Sequence, residues 1–322
     1  LDPGGARLWT SVLLGSGEDS ALAVCADETG NLYVAGDTDS VDFPLTEEPP
    51  ISPPALSKAF LAKFSPAGEL LWAKRLFGLN EPGNENVREI ACDKEQGLVF
   101  VVGEKTLPGP KALFADAFVV GYDLDGESRL ATELGGSETD VANGVSASDG
   151  TVYVAGTTES PDFPVANGFD STLDGPRDGF VARLDSSLAV QWATLLGGAD
   201  ADEARAVEIY RSTASKDVFI VGETTSLDFP GTAQGYASSY LGGLRDAFIS
   251  RFEGDTGQLL WSSYHGGSDA DAGFNVAIDE DNDNVYLAGE TATNIWIDSF
   301  LFTPTETDDS NGGLQDAFVA RV

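Results

Sequence analysis

Five carboxylates recur at one position of a repeating sequence, and they carry the most chemical capacity in this chain. When Val24, Ile90, Val145, Val207 and Val276 are aligned, Asp19, Glu85, Asp140, Asp202 and Asp271 stand five residues upstream, one in each copy. Carboxylates gathered around one axis repel, so they must hold a cation, share protons or accept hydrogen bonds. Calcium, with about six to eight oxygen ligands in flexible geometry, suits such a set, which makes these five residues the expected metal ligands. The other reading is that each carboxylate accepts N–H groups of its own loop as a structural staple. Recurrence in every copy fits that reading at least as well.

The remaining reactive residues are few. His265 is the sole histidine and falls near the end of an outermost strand, where an exposed or half-buried edge position is expected. One histidine rules out His-rich zinc sites and leaves no partner for a nucleophilic triad. Cys25 and Cys92 lie in corresponding strands but one residue out of register, which is read as two buried free thiols. The segment Asp279–Glu290 spaces its acids like a calcium loop. However, Val285–Gly289 reads as a strand rising about 3.3 Å per residue, so Glu290 is carried away from the aspartates. An Asx-rich hairpin turn remains.

These residues have to be positioned by a repeated unit of strands. Its first signature is aromatic-apolar-apolar-Gly, at Tyr33–Gly36, Phe100–Gly103, Tyr153–Gly156, Phe219–Gly222 and Tyr286–Gly289. The second is a strand centred on Phe60, Phe118, Phe180, Phe248 or Phe318, and the third begins at Trp9, Trp72, Leu130, Trp192 or Trp261 with a Gly six residues on. A period of about 50 to 70 residues with several short strands in each unit predicts a radial array of small sheets. Within the third copy the four strands, A to D, are expected near residues 142–147, 152–157, 178–184 and 189–196. The A–B and C–D turns are short and built from Asp, Asn, Gly and Ser, as hairpins require. The B–C loops are long and divergent, most of all Ser40–Lys58 with its Pro-rich run and Thr291–Gln315 with Trp296.

Five copies predict an all-β, five-bladed propeller of four-stranded antiparallel blades, occupying residues 1–322 as one domain. The repeats run about 16–78, 79–136, 137–198, 199–267 and 268–322 plus 1–15. The last copy stops after its third strand, while Trp9–Leu14 reads as a fourth strand with no blade before it. An N-terminal strand completing the last blade reconciles both ends and removes an exposed sheet edge.

Three copies carry T-x-S-x-D-F-P in the B–C loop, at Thr38–Pro44, Thr158–Pro164 and Thr224–Pro230. These could present hydroxyl and carboxylate groups to a sugar. Alternatively Phe plugs the blade, Pro shapes the turn, and Ser and Asp satisfy backbone groups. The Asp opening the Phe strand (Asp116, Asp178, Asp246, Asp316) is expected to pair with Arg183, Arg251 and Arg321, with Lys58 and Gly121 breaking the pattern. The whole set of motifs resembles the SBBP-type β-propeller repeat family. The third copy, from Tyr153 through DFP and DGFVARL to Gly198, follows the family pattern nearly throughout. Copy two departs from it with Leu130 for Trp and TLPG for the DFP segment, and copy five lacks DFP. The family label speaks of seven blades, whereas five copies are present. The resemblance implies an exported or surface-associated protein and no defined activity.

A net charge of −35, from 53 acidic and 18 basic residues, excludes nucleic-acid and anionic membrane-surface partners. No apolar run is long enough to span a bilayer. The first residues, LDPGGARLW, carry no export signal, and with no Met in the chain this suggests a processed start. The expected function is a non-catalytic, extracellular or cell-surface binding or scaffold module. It would be calcium-associated, with a protein or glycan ligand held by the long B–C loops. The alternative is a carbohydrate-active propeller enzyme, glycosidase or lyase, or a multivalent lectin. Near-equivalent carboxylates with no differentiated acid–base pair favour the module.

Overall fold

The computed structural model describes residues 4–46, 59–76, 84–106, 114–211, 216–292 and 315–322. Lys58, Gly78, Trp296 and most of the loops at 40–58 and 291–315 lie outside the described residues. Each copy folds as a sequential antiparallel meander, and the five sheets make the chain a five-bladed β-propeller. Its contacts divide it into two compact units, one of residues 1–134 with 147–150 and one of residues 135–146 with 151–322.

The first unit holds two four-stranded sheets. One is β1 (Asp19–Ala26), β2 (Leu32–Thr38), β3 (Ala59–Phe64) and β4 (Leu70–Arg75); the other is β5 (Asn84–Asp93), β6 (Leu98–Thr106), β7 (Ala115–Asp123) and β8 (Ser128–Leu134). The second unit holds β9 (Asp140–Ser148), β10 (Thr151–Thr158), β11 (Asp178–Asp185) and β12 (Val190–Leu196). Next comes a sheet of β13 (Asp202–Arg211), β14 (Lys216–Thr224), β15 (Asp246–Glu253) and β16 (Gln258–His265). A three-stranded sheet of β17 (Asp271–Asp279), β18 (Asn284–Thr291) and β19 (Asp316–Arg321) follows. Residues 9–14, where a closing fourth strand of the last sheet is expected, carry no strand of their own, and among the described residues the last sheet has three strands. Trp9 instead serves its own unit. Its indole N–H donates to the Pro66 carbonyl at 3.0 Å and its ring stacks on Phe64 at 6.5 Å.

The strand alternation places the core. Phe60, Phe118, Phe180 and Phe248 are buried in the middle of their sheets. The DFP phenylalanines plug the same cores, Phe43 lying 4.6 Å from Phe60, Phe163 4.6 Å from Phe180, and Phe229 4.5 Å from Phe248. After that plug the B–C loop runs back along the outermost strand. Ala166 and Ala193 exchange two backbone hydrogen bonds in the third blade, and in the fourth Gly231 and Ala237 accept from Ser262 and Tyr264. The long loops therefore cover sheet edges that would otherwise expose unpaired backbone groups.

The cysteines are joined, not free: Cys25 and Cys92 form a disulfide with Cα atoms 5.7 Å apart. Their one-residue offset is the reason. Side chains alternate between faces along a strand, so β1 presents one face to the neighbouring blade while β5 presents its opposite face in return. Two residues meeting across that boundary must differ by an odd number of positions in the aligned repeat. The offset that suggested separate thiols is the one a bridge between adjacent blades needs.

Candidate functional site

The repeated carboxylates are held by their own loops. Asp140 Oδ2 accepts the Gly136 N–H at 2.7 Å and the Ser160 hydroxyl at 2.8 Å. Asp202 Oδ2 accepts the Gly198 N–H at 2.7 Å and the Ser226 hydroxyl at 2.8 Å, Asp19 Oδ2 does the same with Gly15 and Ser40, and Asp271 Oδ2 accepts the Gly267 N–H at 2.7 Å. The serines belong to the T-x-S-x-D-F-P motif, whose aspartate holds the other side of the same loop. Asp162 Oδ1 accepts both the N–H and the hydroxyl of Ser137, Asp42 does so with Ser16, and Asp228 takes the Ala199 N–H. Two motifs distant in sequence thus close into one hydrogen-bonded cluster in the first, third and fourth blades. Glu85 lies opposite Lys105 in the register of the second blade, where the other blades have threonine; Lys105 is buried and pairs with Glu133 at 2.9 Å. Among the described residues no group of three or more His, Cys, Asp or Glu side chains is arranged to hold a metal ion.

Burial decides how these acids titrate. At Asp19 the push of burial is outweighed by hydrogen bonds from Thr38, Gly15 and Ser40, and the carboxyl stays below its ordinary value. Asp202 accepts the same set but is fully buried, and burial carries it up to about 6. Asp178 and Asp246 are also fully buried; burial, with the charges of Asp202 and Asp271 added, pushes each to about 7. They do not form the expected arginine pairs. Asp178 Oδ2 accepts the Asp174 N–H and Asp246 Oδ2 the Leu241 N–H, while Arg251 turns to Asp217 and Arg183 to Asp255. In these two strands the opening carboxylate lies at the loop end of the sheet and the arginine further along, so the two do not meet.

His265 is buried at 4% exposure, not at an open edge. The B–C loop brings Tyr236 over it, the two sharing a 2.9 Å hydrogen bond through Nδ1, and Phe318 packs 5.2 Å from the ring. Burial pushes the imidazole down to about 4, so it is neutral at neutral pH. The acidic turn after β17 is a hairpin, with Asp279 opposite Asn284. Glu290 sits opposite Ala272 and pairs with Arg245, away from the turn.

A chain of partly exposed ion pairs was not singled out in the sequence. In the second unit, Arg177 pairs with Glu203 at 2.6 Å, and Arg205 bridges Glu203 and Glu223 at 3.1 and 2.9 Å. Arg245 then joins Glu223 at 3.2 Å to Glu290 at 2.5 Å. Glu203 and Glu223 are direct cross-strand neighbours, an unfavourable like-charge pair that Arg205 neutralises. Arg205 falls at the β-bulge of β13 and Phe274 at that of β17, and bulges re-aim side chains. The Arg205 guanidinium lies 5.0 Å over the Phe274 ring, which is 42% exposed. A Cβ on Gly144 would come within 2.9 Å of Ala206 Cα, so glycine is what lets β9 approach the bulged strand. A signal was present: Arg precedes the aspartate of the Phe strand in copies three and four, and Glu follows the signature glycine in copies two, four and five. One further acid, Glu208 on β13, is half-buried and raised to about 7 by burial.

No family model matches this chain. Regulatory protein FlaEY of Caulobacter vibrioides is 31% identical over 199 residues, which are 59% of this chain and 20% of that protein. The chain therefore spans about a fifth of the length of the curated relative it matches. Similar solved structures include a GH43 β-1,3-galactosidase with galactodeoxynojirimycin, at 9% identity and TM-score 0.43, covering 84% of this chain and 85% of that one. A protein of unknown function from Dyadobacter fermentans gives 10% identity and TM-score 0.47, covering 93% of this chain and 74% of that one. An apocarotenoid oxygenase from Synechocystis gives 12% and 0.40, covering 85% and 59%.

Proposed function

We propose that this chain is a non-catalytic binding module of an exported or cell-surface protein, built from SBBP-type propeller repeats. The observation that carries the reading is how its acids are occupied. Glu203, Glu223 and Glu290, in the partly exposed chain, are each neutralised by arginine. Asp178 and Asp246, raised by burial to about 7, and Asp202, raised to about 6, are fully buried and fastened to backbone N–H groups. A hydrolase needs an accessible acid with a tuned proton beside a second carboxylate of different character. Export is supported by the Cys25–Cys92 bridge, since disulfides persist in oxidising compartments.

The enzymatic alternative has one foothold in Glu208, raised to about 7 with the Glu280 charge among its causes. The experiment is an assay of released reducing ends over a broad glycan panel, run with the parent and with Glu208→Gln. No turnover is expected from either. Turnover by the parent that Glu208→Gln abolishes, with melting unchanged, makes the chain an enzyme and overturns the proposal.

A further inference from the structure

We infer that Phe274, Arg205 and the ion-pair chain beside them form a subsite for a neutral saccharide, an inference that rests on the binding-module reading and names its ligand class. Two bulges set the site at the surface. The extra residue at each bulge, Arg205 in β13 and Phe274 in β17, leaves the ladder and turns its side chain out. Phe274 keeps 42% of its surface exposed although one ring face is covered by the Arg205 guanidinium. An aromatic face beside a fixed polar frame offers stacking to the C–H face of a sugar ring.

The frame supplies both hydrogen-bonding senses in alternation. Arg177, Arg205 and Arg245 engage glutamates through Nη2, and Arg245 also through Nε. A guanidinium has five N–H donors in a fixed fork, so donors remain for ring and hydroxyl oxygens. Glu203 and Glu290 stand between them as acceptors for hydroxyl hydrogens, while the buried Glu223 holds Arg205 and Arg245 in place. The three arginines and three glutamates sum to no net charge, so nothing in the frame attracts an ion of either sign. The field of a chain carrying −35 disfavours an acidic polymer. A ligand that is uncharged, rich in hydroxyls and flat on one face matches all three conditions. Because the chain of pairs fixes its own side chains, little rotamer freedom would be lost on binding.

The test is affinity electrophoresis of the whole chain through gels holding xylan, galactan, β-glucan or galactomannan, with polygalacturonate and alginate as acidic counterparts. Calorimetry with an oligosaccharide of any retarding polymer then gives Kd. At least one neutral polymer is expected to retard the protein and the acidic ones are not. Phe274→Ala and Arg205→Met should each weaken binding about tenfold or more, whereas Phe274→Tyr, which keeps the ring, should bind like the parent. Melting curves confirm that the variants fold. Retardation by acidic polymers alone, or by none, overturns the saccharide class and leaves the module reading standing. Neutral binding that both variants leave unchanged overturns this site and leaves the class. Release of reducing ends overturns the module reading itself.

Discussion

The indole N–H of Trp192 donates a 2.8 Å hydrogen bond to the carbonyl of Gly254, in the C–D turn of the next blade, while its ring covers Gly257 of the same turn. Gly257 has φ +71, and a Cβ there would come 2.7 Å from the indole. The tryptophan that opens the outermost strand is therefore a clasp between consecutive blades. Trp72 makes the same contact with Gly126 and Trp9 with Gly68. Trp192→Ala is expected to cost about 3–5 kcal/mol of stability, and Trp192→Phe only about 1 kcal/mol for the lost hydrogen bond. Gly257→Ala should be costlier than an ordinary turn substitution, because both its φ and the indole oppose a side chain. Denaturant melts of the three variants check the order. Trp9→Ala should cost less than Trp192→Ala, since Trp9 is only half-buried.

Reduction should loosen the first unit. The disulfide spans 67 residues, and the chain-entropy relation gives a loop of that length about 4 kcal/mol. For a chain of this size that corresponds to a loss of about 6 °C in the melting midpoint. Cys25→Ser with Cys92→Ser should reproduce the shift in the absence of reductant. A double variant that melts like the oxidised parent would show that the bridge does not constrain the unfolded chain.

The loop staples should answer to their hydroxyls and not to calcium. Ser226 Oγ donates to Asp202 and accepts the Asp200 N–H at 2.9 Å, so Ser226→Ala removes both bonds, one of them to the fully buried Asp202 carboxylate. A loss of about 1–3 kcal/mol is expected. Calcium at millimolar concentration should raise the midpoint no more than sodium of equal ionic strength. A specific site would add about 2.7 kcal/mol at a hundredfold excess over Kd. A calcium-specific gain that Asp140→Asn and Asp202→Asn erase would make the repeated carboxylates metal ligands.

The pH dependence should have two opposing parts. Asp178 and Asp246 titrate near 7 and Asp202 near 6 when folded, well above the ordinary aspartate value, so the folded state binds more protons than the unfolded one between about pH 4 and 7. Their contribution is complete below pH 4 and fades as pH rises through 6 to 7. His265 acts the other way. Its folded value of about 4 lies below 6.5, so its contribution is present above pH 6.5 and is lost as pH falls towards 4. Asp178→Asn, which mimics the protonated acid, should raise the melting midpoint by a few degrees at pH 8 and change it little at pH 4. His265→Gln should flatten the acid side. An Asp178→Asn variant with the same shift at both pH values would show that the carboxyl is not the titrating group.

Much of this protein is set by local pattern. Alternating apolar residues, turn glycines and the phase of five copies determine the strands from Asp19 to Arg321 and their meander order, because pairing within a blade joins segments adjacent in sequence. Phe43, Phe163 and Phe229 were legible as plugs for the same reason, since each lies in the loop that follows its own strand. What only the tertiary structure decided concerns faces and neighbours. The direction in which β1 and β5 oppose each other turned a register mismatch into the Cys25–Cys92 bridge. The B–C loop that folds back over β16 buried His265. Trp9 packs on Phe64 and Gly68 within its own unit. The chain from Arg177 to Glu290 joins residues of three blades, each unremarkable alone. A repeat states what every copy shares, whereas a site made of the differences between copies exists only once the blades stand side by side.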